Sequence, residues 1–276
     1  MTDRYAVFGN PVAHSQSPWI HTRFAELTGQ DLRYDRMEAP VGGFDQALRA
    51  FVADGGRGLN VTVPFKQDAW HAVDQRSQRA TRAGAVNTIV VTEGDKLFGD
   101  NTDGVGLLRD LRDNHGLAVT GSRVLLLGAG GAVRGVLEPL TKAAPAGLVI
   151  ANRTVERAQA LLPLCGDIPT AACGFAELAR MEPFDLVING TSAGLSGSMP
   201  DLPPALFTEG AAAYDMVYGA TRTVFMGWSR NAGAETVLDG LGMLVEQAAE
   251  SFLLWRGVRP ETSGVITALR EKLTQG

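Results

Sequence analysis

Short apolar runs alternate with amphipathic stretches from the beginning of the chain. Strands are predicted over residues 4–9, 32–38 and 58–63, and helices over residues 17–28 and 44–53 between them. This alternation is typical of β-α-β units, in which helices cover a largely parallel sheet. The first part of the chain therefore predicts an α/β domain.

Capping and turn signals refine these elements. We expect Ser17 to cap the first helix and Gly29 to end it. Residues 93–95, Glu-Gly-Asp, separate two short apolar segments at 85–92 and 96–98, and Gly and Asp tolerate the dihedral angles of a tight turn. This pattern predicts a hairpin, so the sheet of the first domain should be mixed.

A second series of α/β elements follows a long helix predicted over residues 101–114. Its predicted elements are strand 123–127, helix 132–143, strand 148–152, helix 155–162, and strands 185–189 and 212–216, with two amphipathic helices at 244–255 and 261–273. We therefore predict an α/β protein of two domains, the second of them Rossmann-like and nucleotide-binding. The predicted bounds are 1–103 for the first domain, completed by C-terminal helices in 242–276 that pack back on it, and 104–241 for the second.

Composition and charge narrow the classes of function. The 276 residues carry a net charge of −5 and a pI near 5.4, which disfavours nucleic acids and anionic membranes as partners. The first ten residues lack the pattern of a signal peptide, and no apolar run reaches the length of a membrane helix, so we expect a cytoplasmic protein. Two cysteines and four scattered histidines give no metal-ligand pattern, and we expect no metal.

A glycine-rich turn follows the apolar strand at 123–127. Gly128, Ala129, Gly130, Gly131 and Ala132 lead from that strand into a helical pattern, which is the context of a dinucleotide-binding turn. Gly128 permits the turn, and Gly130 lets the backbone approach a pyrophosphate at the helix N-terminus. Val133 replaces the third glycine of the usual pattern, so a turn that only joins strand to helix stays possible on this motif alone.

The end of the next predicted strand indicates which dinucleotide would bind. An NAD-binding chain would carry an Asp or Glu there for the ribose 2′-hydroxyl, whereas this chain has Asn152, Arg153, Thr154 and then Arg157. Two arginines and a hydroxyl bind a 2′-phosphate through charge-assisted hydrogen bonds. We therefore predict NADP as the cofactor. The alternative is a basic helix start exposed to solvent.

Small polar residues stand near strand ends of the first domain. Strand ends of open α/β sheets are where ligands bind, and hydroxyl, amide and carboxylate groups suit a polyhydroxylated carboxylate. Each residue also has a simpler role as a cap, a backbone partner or a solvated charge. The set comprises Ser15, Ser17, Thr62, Lys66, Asn87 and Asp103.

Taken together, the motifs resemble shikimate dehydrogenases, and the resemblance is collinear over nearly the whole chain. They lie at residues 8–18, 60–66, 84–88, 99–104, 128–132, 152–154 and 239–244. The resemblance implies that Lys66 and Asp103 form the catalytic pair. It implies substrate contacts at Ser15, Ser17, Thr62, Lys66, Asn87, Asp103, Tyr218 and Gln247. It implies cofactor contacts at Met216 and Gly240, which add to those of the glycine-rich turn and of Asn152, Arg153, Thr154 and Arg157.

The resemblance implies reversible NADPH-dependent reduction of 3-dehydroshikimate to shikimate, in aromatic amino acid biosynthesis. Gln78 departs from the family, some members of which have an acidic residue there beside the cofactor, so its contact with the cofactor stays open. The alternatives are a quinate/shikimate dehydrogenase that uses NAD, a non-catalytic NADP-binding sensor, and a folate-linked dehydrogenase of similar layout. The family includes monomers and homodimers, and either is open here.

Overall fold

The computed structural model describes residues 2–191, 193 and 197–275. The chain divides into two units. One consists of Met1–Gly106 with Val245–Leu269, and the other of Leu107–Leu244 with Arg270–Gly276. The polypeptide therefore leaves the first unit after residue 106 and returns to it at residue 245.

The first unit is built on a mixed sheet, and its described residues form six strands. These are β1 (Asp3–Gly9), β2 (Leu32–Glu38), β3 (Gly56–Val61), β4 (Gln75–Arg76), β5 (Thr88–Val91) and β6 (Leu97–Asp100), in the order β2-β1-β3-β5-β6-β4. β5 runs antiparallel to both of its neighbours, β3 and β6, as the predicted hairpin requires. The helices between the strands are α1 (Ser17–Thr28), α2 (Phe44–Ala53), α3 (Lys66–Ala72) and α4 (Gln78–Ala83).

The second unit is built on a parallel sheet, with helices between the strands. Within its described residues the strands are β7 (Arg123–Leu127), β8 (Gly147–Ala151), β9 (Thr170–Cys173), β10 (Phe184–Asn189), β11 (Phe207–Asp215) and β12 (Thr236–Asp239), in the order β12-β11-β10-β7-β8-β9. The helices are α5 (Asp103–Arg109), α6 (Gly131–Lys142), α7 (Val155–Gln159), α8 (Val224–Asn231), α9 (Leu241–Arg256) and α10 (Ser263–Gln275). A π-helical turn at Asp110–Asn114 continues α5. Three of the helices, α5, α9 and α10, are shared with the first unit.

The central strand of the second unit shows why its sequence is apolar without alternation. Val124 and Leu126 pack into one hydrophobic cluster, whereas Leu125 and Leu127 pack into another. Successive side chains of a strand point to opposite faces, so both faces of this sheet are buried. The order of strands, with β7 between β8 and β10, is that of a doubly wound nucleotide-binding sheet. The predicted α/β fold with a Rossmann-like domain is thus confirmed.

Helix α9 packs on the sheet of the first unit. The indole Nε1 of Trp255 donates a hydrogen bond of 2.9 Å to the carbonyl oxygen of Ile89 in β5. A Cβ atom at Gly58 in β3 would lie 2.5 Å from the same indole nitrogen, so the glycine leaves the space that Trp255 fills. The return of the chain therefore completes the first unit.

Several details differ from the sequence-based expectations. Ser17 does not cap α1, because Gln16 holds the N-cap position and Ser17 is the buried first residue of the helix. Gly29 ends α1 as expected, with a φ of 64°. The short elements β4, β9, β12 and α8 were not predicted. In the segment 242–276, residues 242–244 and 270–276 cluster with the second unit rather than the first.

No helix among the described residues is long and apolar enough to span a bilayer. Those residues also contain no group of three or more His, Cys, Asp or Glu side chains that could hold a metal ion.

Candidate active site

Lys66 and Asp103 are the first residues of two helices that begin near the same edge of the first sheet. Lys66 begins α3, and Asp103 begins α5. The backbone N–H of Val86 bonds to the carbonyl oxygen of Lys66 at 2.9 Å, and that of Asn87 bonds to the carbonyl oxygen of Asp100 at 3.0 Å. These bonds fix the chain around residue 87 between the two helix starts.

The two side chains form an ion pair. Lys66 Nζ lies 2.6 Å from Asp103 Oδ2, and the exposed fractions of the two side chains are 26% and 10%. The ammonium therefore remains accessible from one side while the carboxylate is nearly enclosed. Such a pair can present a localised positive charge and a proton to a bound oxygen atom.

Asn87 completes the surroundings of Asp103. Its Nδ2 donates to Asp103 Oδ1 at 2.8 Å, so each carboxylate oxygen of Asp103 has a donor. Its Oδ1 accepts the backbone N–H of Thr102 at 2.9 Å. Gln247 of α9 reaches the same place, with its Oε1 3.3 Å from Asn87 Nδ2. Four of the predicted site residues are thereby brought into one connected network.

Asn60 links this network to the side chains of Tyr34, Thr88 and Ser251. Its Nδ2 donates to Ser251 Oγ at 2.9 Å, and Ser251 Oγ lies 2.8 Å from Thr88 Oγ1, which donates to Asn87 Oδ1 at 2.9 Å. Its Oδ1 accepts the hydroxyl of Tyr34 at 2.7 Å. Asn60 lies in one of the quoted motifs but was not assigned to the site. Tyr34 and Ser251 gave no sequence signal, because a tyrosine in a strand and a serine in an apolar helix are common in cores.

Ser15, Ser17 and Thr62 follow β1 and β3, which are neighbours in the sheet. Ser15 Oγ accepts the backbone N–H of Ser17 at 3.3 Å. The backbone N–H of Thr62 bonds to Phe8 at the end of β1, at 2.8 Å. Burial raises the pKa of Tyr34 well above its usual value, so its hydroxyl stays neutral and can donate. Tyr218, the remaining predicted substrate contact, belongs to the second unit.

The glycine-rich turn of the second unit has the geometry that its residues predict. Gly128 has a φ of 105°, and a Cβ atom there would lie 3.1 Å from the carbonyl oxygen of Gly190. Gly130 holds the N-cap position of α6, and a Cβ atom at Gly130 or Gly131 would meet no described atom within 4 Å. Val133, in place of the third glycine, is fully buried in the core. The open side of the turn can therefore receive a phosphate at the helix N-terminus.

The predicted 2′-phosphate residues lie at the end of the adjacent strand. Leu127 pairs with Ala151, so the residues that follow β7 and β8 share one edge of the sheet. Asn152 Nδ2 donates to the carbonyl oxygen of Thr154 at 2.8 Å and shapes this turn. Arg153 and Arg157 are both exposed. Two exposed guanidinium groups beside the glycine-rich turn suit a second phosphate group.

Met216 follows β11 and Gly240 follows β12, at the same sheet edge but on the other side of β7. A Cβ atom at Gly240 would lie 2.4 Å from the carbonyl oxygen of Met216, so only glycine allows this approach. The backbone N–H of Gly240 bonds to Val217 at 3.2 Å. The two residues expected to line one pocket are therefore in contact.

Three family models match the chain. One described as the shikimate dehydrogenase substrate binding domain matches residues 7–89, one described as shikimate / quinate 5-dehydrogenase matches residues 111–196, and one described as the shikimate 5′-dehydrogenase C-terminal domain matches residues 240–270. Relatives of known name belong to the same family. The shikimate dehydrogenase (NADP(+)) of Alkalilimnicola ehrlichii is 61% identical over 98% of this chain and 99% of its own length. The chain belongs to the shikimate dehydrogenase family.

Other shikimate dehydrogenases extend this similarity to structure. The enzyme of Halorhodospira halophila, also named shikimate dehydrogenase (NADP(+)), is 58% identical over 98% of this chain and 99% of its own length. The crystal structure of shikimate 5-dehydrogenase from Thermus thermophilus, in complex with NADP(H) and shikimate, has a TM-score of 0.87 and 37% identity, and the match covers 99% of this chain and 100% of that one. The family inferred from the motifs is thus confirmed.

Gln78 is the position at which this chain departs from those shikimate dehydrogenases that have an acidic residue there. It is the exposed first residue of α4, directly after Ser77, whose hydroxyl caps that helix by accepting the backbone N–H of Ala80. The next residue, Arg79, turns inward and binds Asp100 with two hydrogen bonds of 2.7 Å.

Proposed function

We propose that this chain is an NADP-dependent shikimate dehydrogenase, which reversibly reduces 3-dehydroshikimate to shikimate. The 61% identical relative and its full-length match carry this conclusion. The enzyme class, the cofactor and the pathway predicted from the motifs agree with it, whereas an NAD-dependent quinate enzyme and a non-catalytic sensor are not favoured. We place the reaction in the cytoplasm, in a monomer or homodimer, as a biosynthetic step on diffusible substrates.

The residues of the second unit fit NADP. The turn at Gly128 leaves Gly130 and Gly131 exposed at the start of α6, and Arg153 and Arg157 offer positive charge one strand away. An NAD enzyme would instead carry a carboxylate at this strand end. When bound, the dinucleotide supplies or accepts the hydride.

Lys66 is proposed to handle the proton. Reduction of a ketone leaves negative charge on its oxygen, and a positioned ammonium can donate a proton and stabilise that charge. Asp103 Oδ2, at 2.6 Å, holds Nζ in place. In the reverse direction the neutral amine takes the proton from the substrate hydroxyl.

The remaining polar residues are proposed to orient the ring of the substrate. The amide of Asn87 holds Asp103 Oδ1, and Gln247 and Thr102 stand beside it. Ser15, Ser17 and Thr62 offer hydroxyl and amide donors for the carboxylate at the ends of β1 and β3. Tyr218 is a further proposed substrate contact, and Met216 and Gly240 are proposed to line the nicotinamide pocket.

The test is a cofactor and substrate matrix, followed by the absorbance of the reduced nicotinamide. Purified protein is offered shikimate or quinate, each with NADP or NAD. We expect fast reduction with shikimate and NADP only. Activity chiefly with quinate or NAD would favour the alternative dehydrogenase, and no activity in any combination would favour the sensor.

A further inference from the structure

A buried carboxylate ties together three segments at the carboxyl edge of the second sheet. Asp215, the last residue of β11, is fully buried. Its Oδ1 accepts Asn189 Nδ2 at 3.0 Å and the backbone N–H of Val217 at 3.2 Å, and its Oδ2 accepts Thr223 Oγ1 at 2.6 Å. One side chain therefore holds the end of β10, the segment after β11 and the start of α8.

The same network continues to the neighbouring strand end. Asn189 Oδ1 accepts the backbone N–H and the hydroxyl of Thr191, at 3.1 and 2.7 Å. The backbone N–H of Met216 bonds to the carbonyl oxygen of Asn189 at 2.9 Å. The backbone is thus held at two successive residues, at Met216 by β10 and at Val217 by the Asp215 carboxylate.

The position of this network in the sheet indicates which half of a bound dinucleotide would lie beside it. Dinucleotides bind across the carboxyl edge of such a sheet, one half on each side of the central strand. Arg153 and Arg157 lie after β8, on one side of β7, and therefore mark the adenosine half. β10 and β11 lie on the other side of β7, where the nicotinamide half would rest.

We infer that Asp215 is a positioning residue for the nicotinamide half of the cofactor. It fixes the backbone of Met216 and Val217 against β10, and hence the pocket surface that the ring meets. It acts through these segments and need not touch the cofactor. This inference rests on the proposed function, because it assumes a bound nicotinamide dinucleotide.

A buried polar group can also serve folding alone, so the test must separate the two roles. Asp215→Asn keeps the shape but turns a donor towards groups that already donate. Thr223→Val removes the donor to Asp215 and also the N-cap of α8, since Thr223 Oγ1 accepts the backbone N–H of Met226 at 3.2 Å, whereas Thr223→Ser keeps both. Asp185→Asn is the control for the hydrogen-bond pattern, since Asp185, an exposed residue at the opposite end of β10, also accepts one hydroxyl, of Thr208, and one backbone N–H, of Arg123.

Two binding probes separate the halves of the dinucleotide. Adenosine 2′,5′-bisphosphate contains the adenosine half with its 2′-phosphate, and NADPH contains both halves and fluoresces. Calorimetry should show unchanged affinity of Asp215→Asn and Thr223→Val for the bisphosphate, with weaker binding and altered fluorescence of NADPH. We expect kcat for shikimate oxidation to fall by about 10- to 100-fold, the cost of a misplaced reactant. Thr223→Ser and Asp185→Asn should behave as the unaltered protein.

Loss of affinity for both probes in equal measure, or normal NADPH binding and turnover in Asp215→Asn, would overturn the inference. An equal loss in Asp185→Asn would do so as well. If Asp215→Asn fails to fold, the comparison of Thr223→Val with Thr223→Ser tests the inference in its place. If the unaltered protein binds NADPH but does not oxidise shikimate, the proposed function fails, while the comparison of the two probes still answers the question about Asp215.

Discussion

Lys66 and Asp103 are 37 residues apart in the sequence and meet at 2.6 Å. The motifs singled out both residues, and the resemblance to the family implied that they act as a pair. The sequence could not predict that Asn87 takes the second oxygen of Asp103, or that Asn60, Thr88 and Ser251 connect this site to Tyr34. Those bonds join β3, β5 and α9, and such pairings depend on tertiary structure rather than on local pattern.

Replacement of Lys66 by Ala should lower kcat by at least about 100-fold, because it removes the proposed proton donor and the local positive charge. The KM for shikimate should change less, since the lost interaction matters most in the transition state. Steady-state kinetics with NADP measure both values. The control is Lys96→Ala, an exposed lysine in the turn before β6. Near-normal turnover of Lys66→Ala would exclude Lys66 from the chemistry.

His21 is a buried histidine whose ring stacks on Tyr34, with the ring centroids 4.3 Å apart. Its Nε2 donates to Asn60 Oδ1 at 3.2 Å, and its Nδ1 has no hydrogen-bond partner among the described residues. Burial lowers the pKa of His21 to about 3, although the hydrogen bond to Asn60 partly opposes this shift. The imidazole is therefore neutral in the folded protein, and protonation would place an unpaired charge in the core.

The stability of the protein should consequently depend on pH through His21. The unfolded chain takes up a proton near pH 6.5 and the folded chain only near pH 3, so stabilisation present above pH 6.5 is lost as the pH falls towards 3. The slope approaches about 1.4 kcal/mol per pH unit in this window. Urea unfolding at pH 7.5 and 5.5 should show a smaller loss for His21→Phe, in which Tyr34 still bonds to Asn60. Equal losses in both proteins would contradict the pKa shift.

At the scale of elements, the sequence predicted strongly patterned segments well and weakly patterned ones poorly. β7 and α2 have the predicted bounds, because one is a continuous apolar run and the other a regular amphipathic helix closed by glycines. β4 has two residues, and α8 lies in a segment whose pattern was not recognised. The error at Ser17 arose from Pro18, which is tolerated in the first turn and does not specify which residue caps the helix.

The turn between β7 and α6 allows a test of one element. Gly128→Ala should destabilise the second unit and weaken NADP binding, because Gly128 has a φ of 105° and its Cβ atom would approach the carbonyl oxygen of Gly190 to 3.1 Å. Gly121→Ala, with a φ of 74° and no described atom within 4 Å, carries the backbone strain alone. Melting curves and NADPH fluorescence should show a larger effect at Gly128. Equal effects would assign the loss to strain and not to the close approach.

At the scale of the whole molecule, the predicted ligand contacts are divided between two units. The proposed substrate contacts other than Tyr218 belong to the first, and the proposed cofactor contacts belong to the second. Composition and motif order indicated two α/β domains. They could not show that the last seven residues of the chain, Arg270–Gly276, cluster with the second unit, because that placement depends on contacts such as the one between Arg270 and Asp239.

Each ligand alone should therefore raise the melting temperature. A ligand at about 100 times its Kd adds about 2.7 kcal/mol of stability, which corresponds to a shift of several degrees in a chain of this size. Differential scanning calorimetry with shikimate alone, NADP alone and neither measures this. Quinate serves as the control for shikimate. No shift with shikimate until NADP is present would show that the first unit does not bind substrate by itself.

Helix α9 gives the first unit its Gln247, Ser251 and Trp255, although more than a hundred residues of the second unit are translated in between. During synthesis, the residues up to Gly106 therefore lack these partners until α9 has been translated. The main body of the second unit is one continuous segment, so it can fold in the meantime. The site around Asn87 is then assembled only near the end of synthesis. A prematurely terminated chain that lacks α9 would keep most of the nucleotide-binding unit but would have no finished site for the substrate, so incomplete products of translation would be catalytically silent.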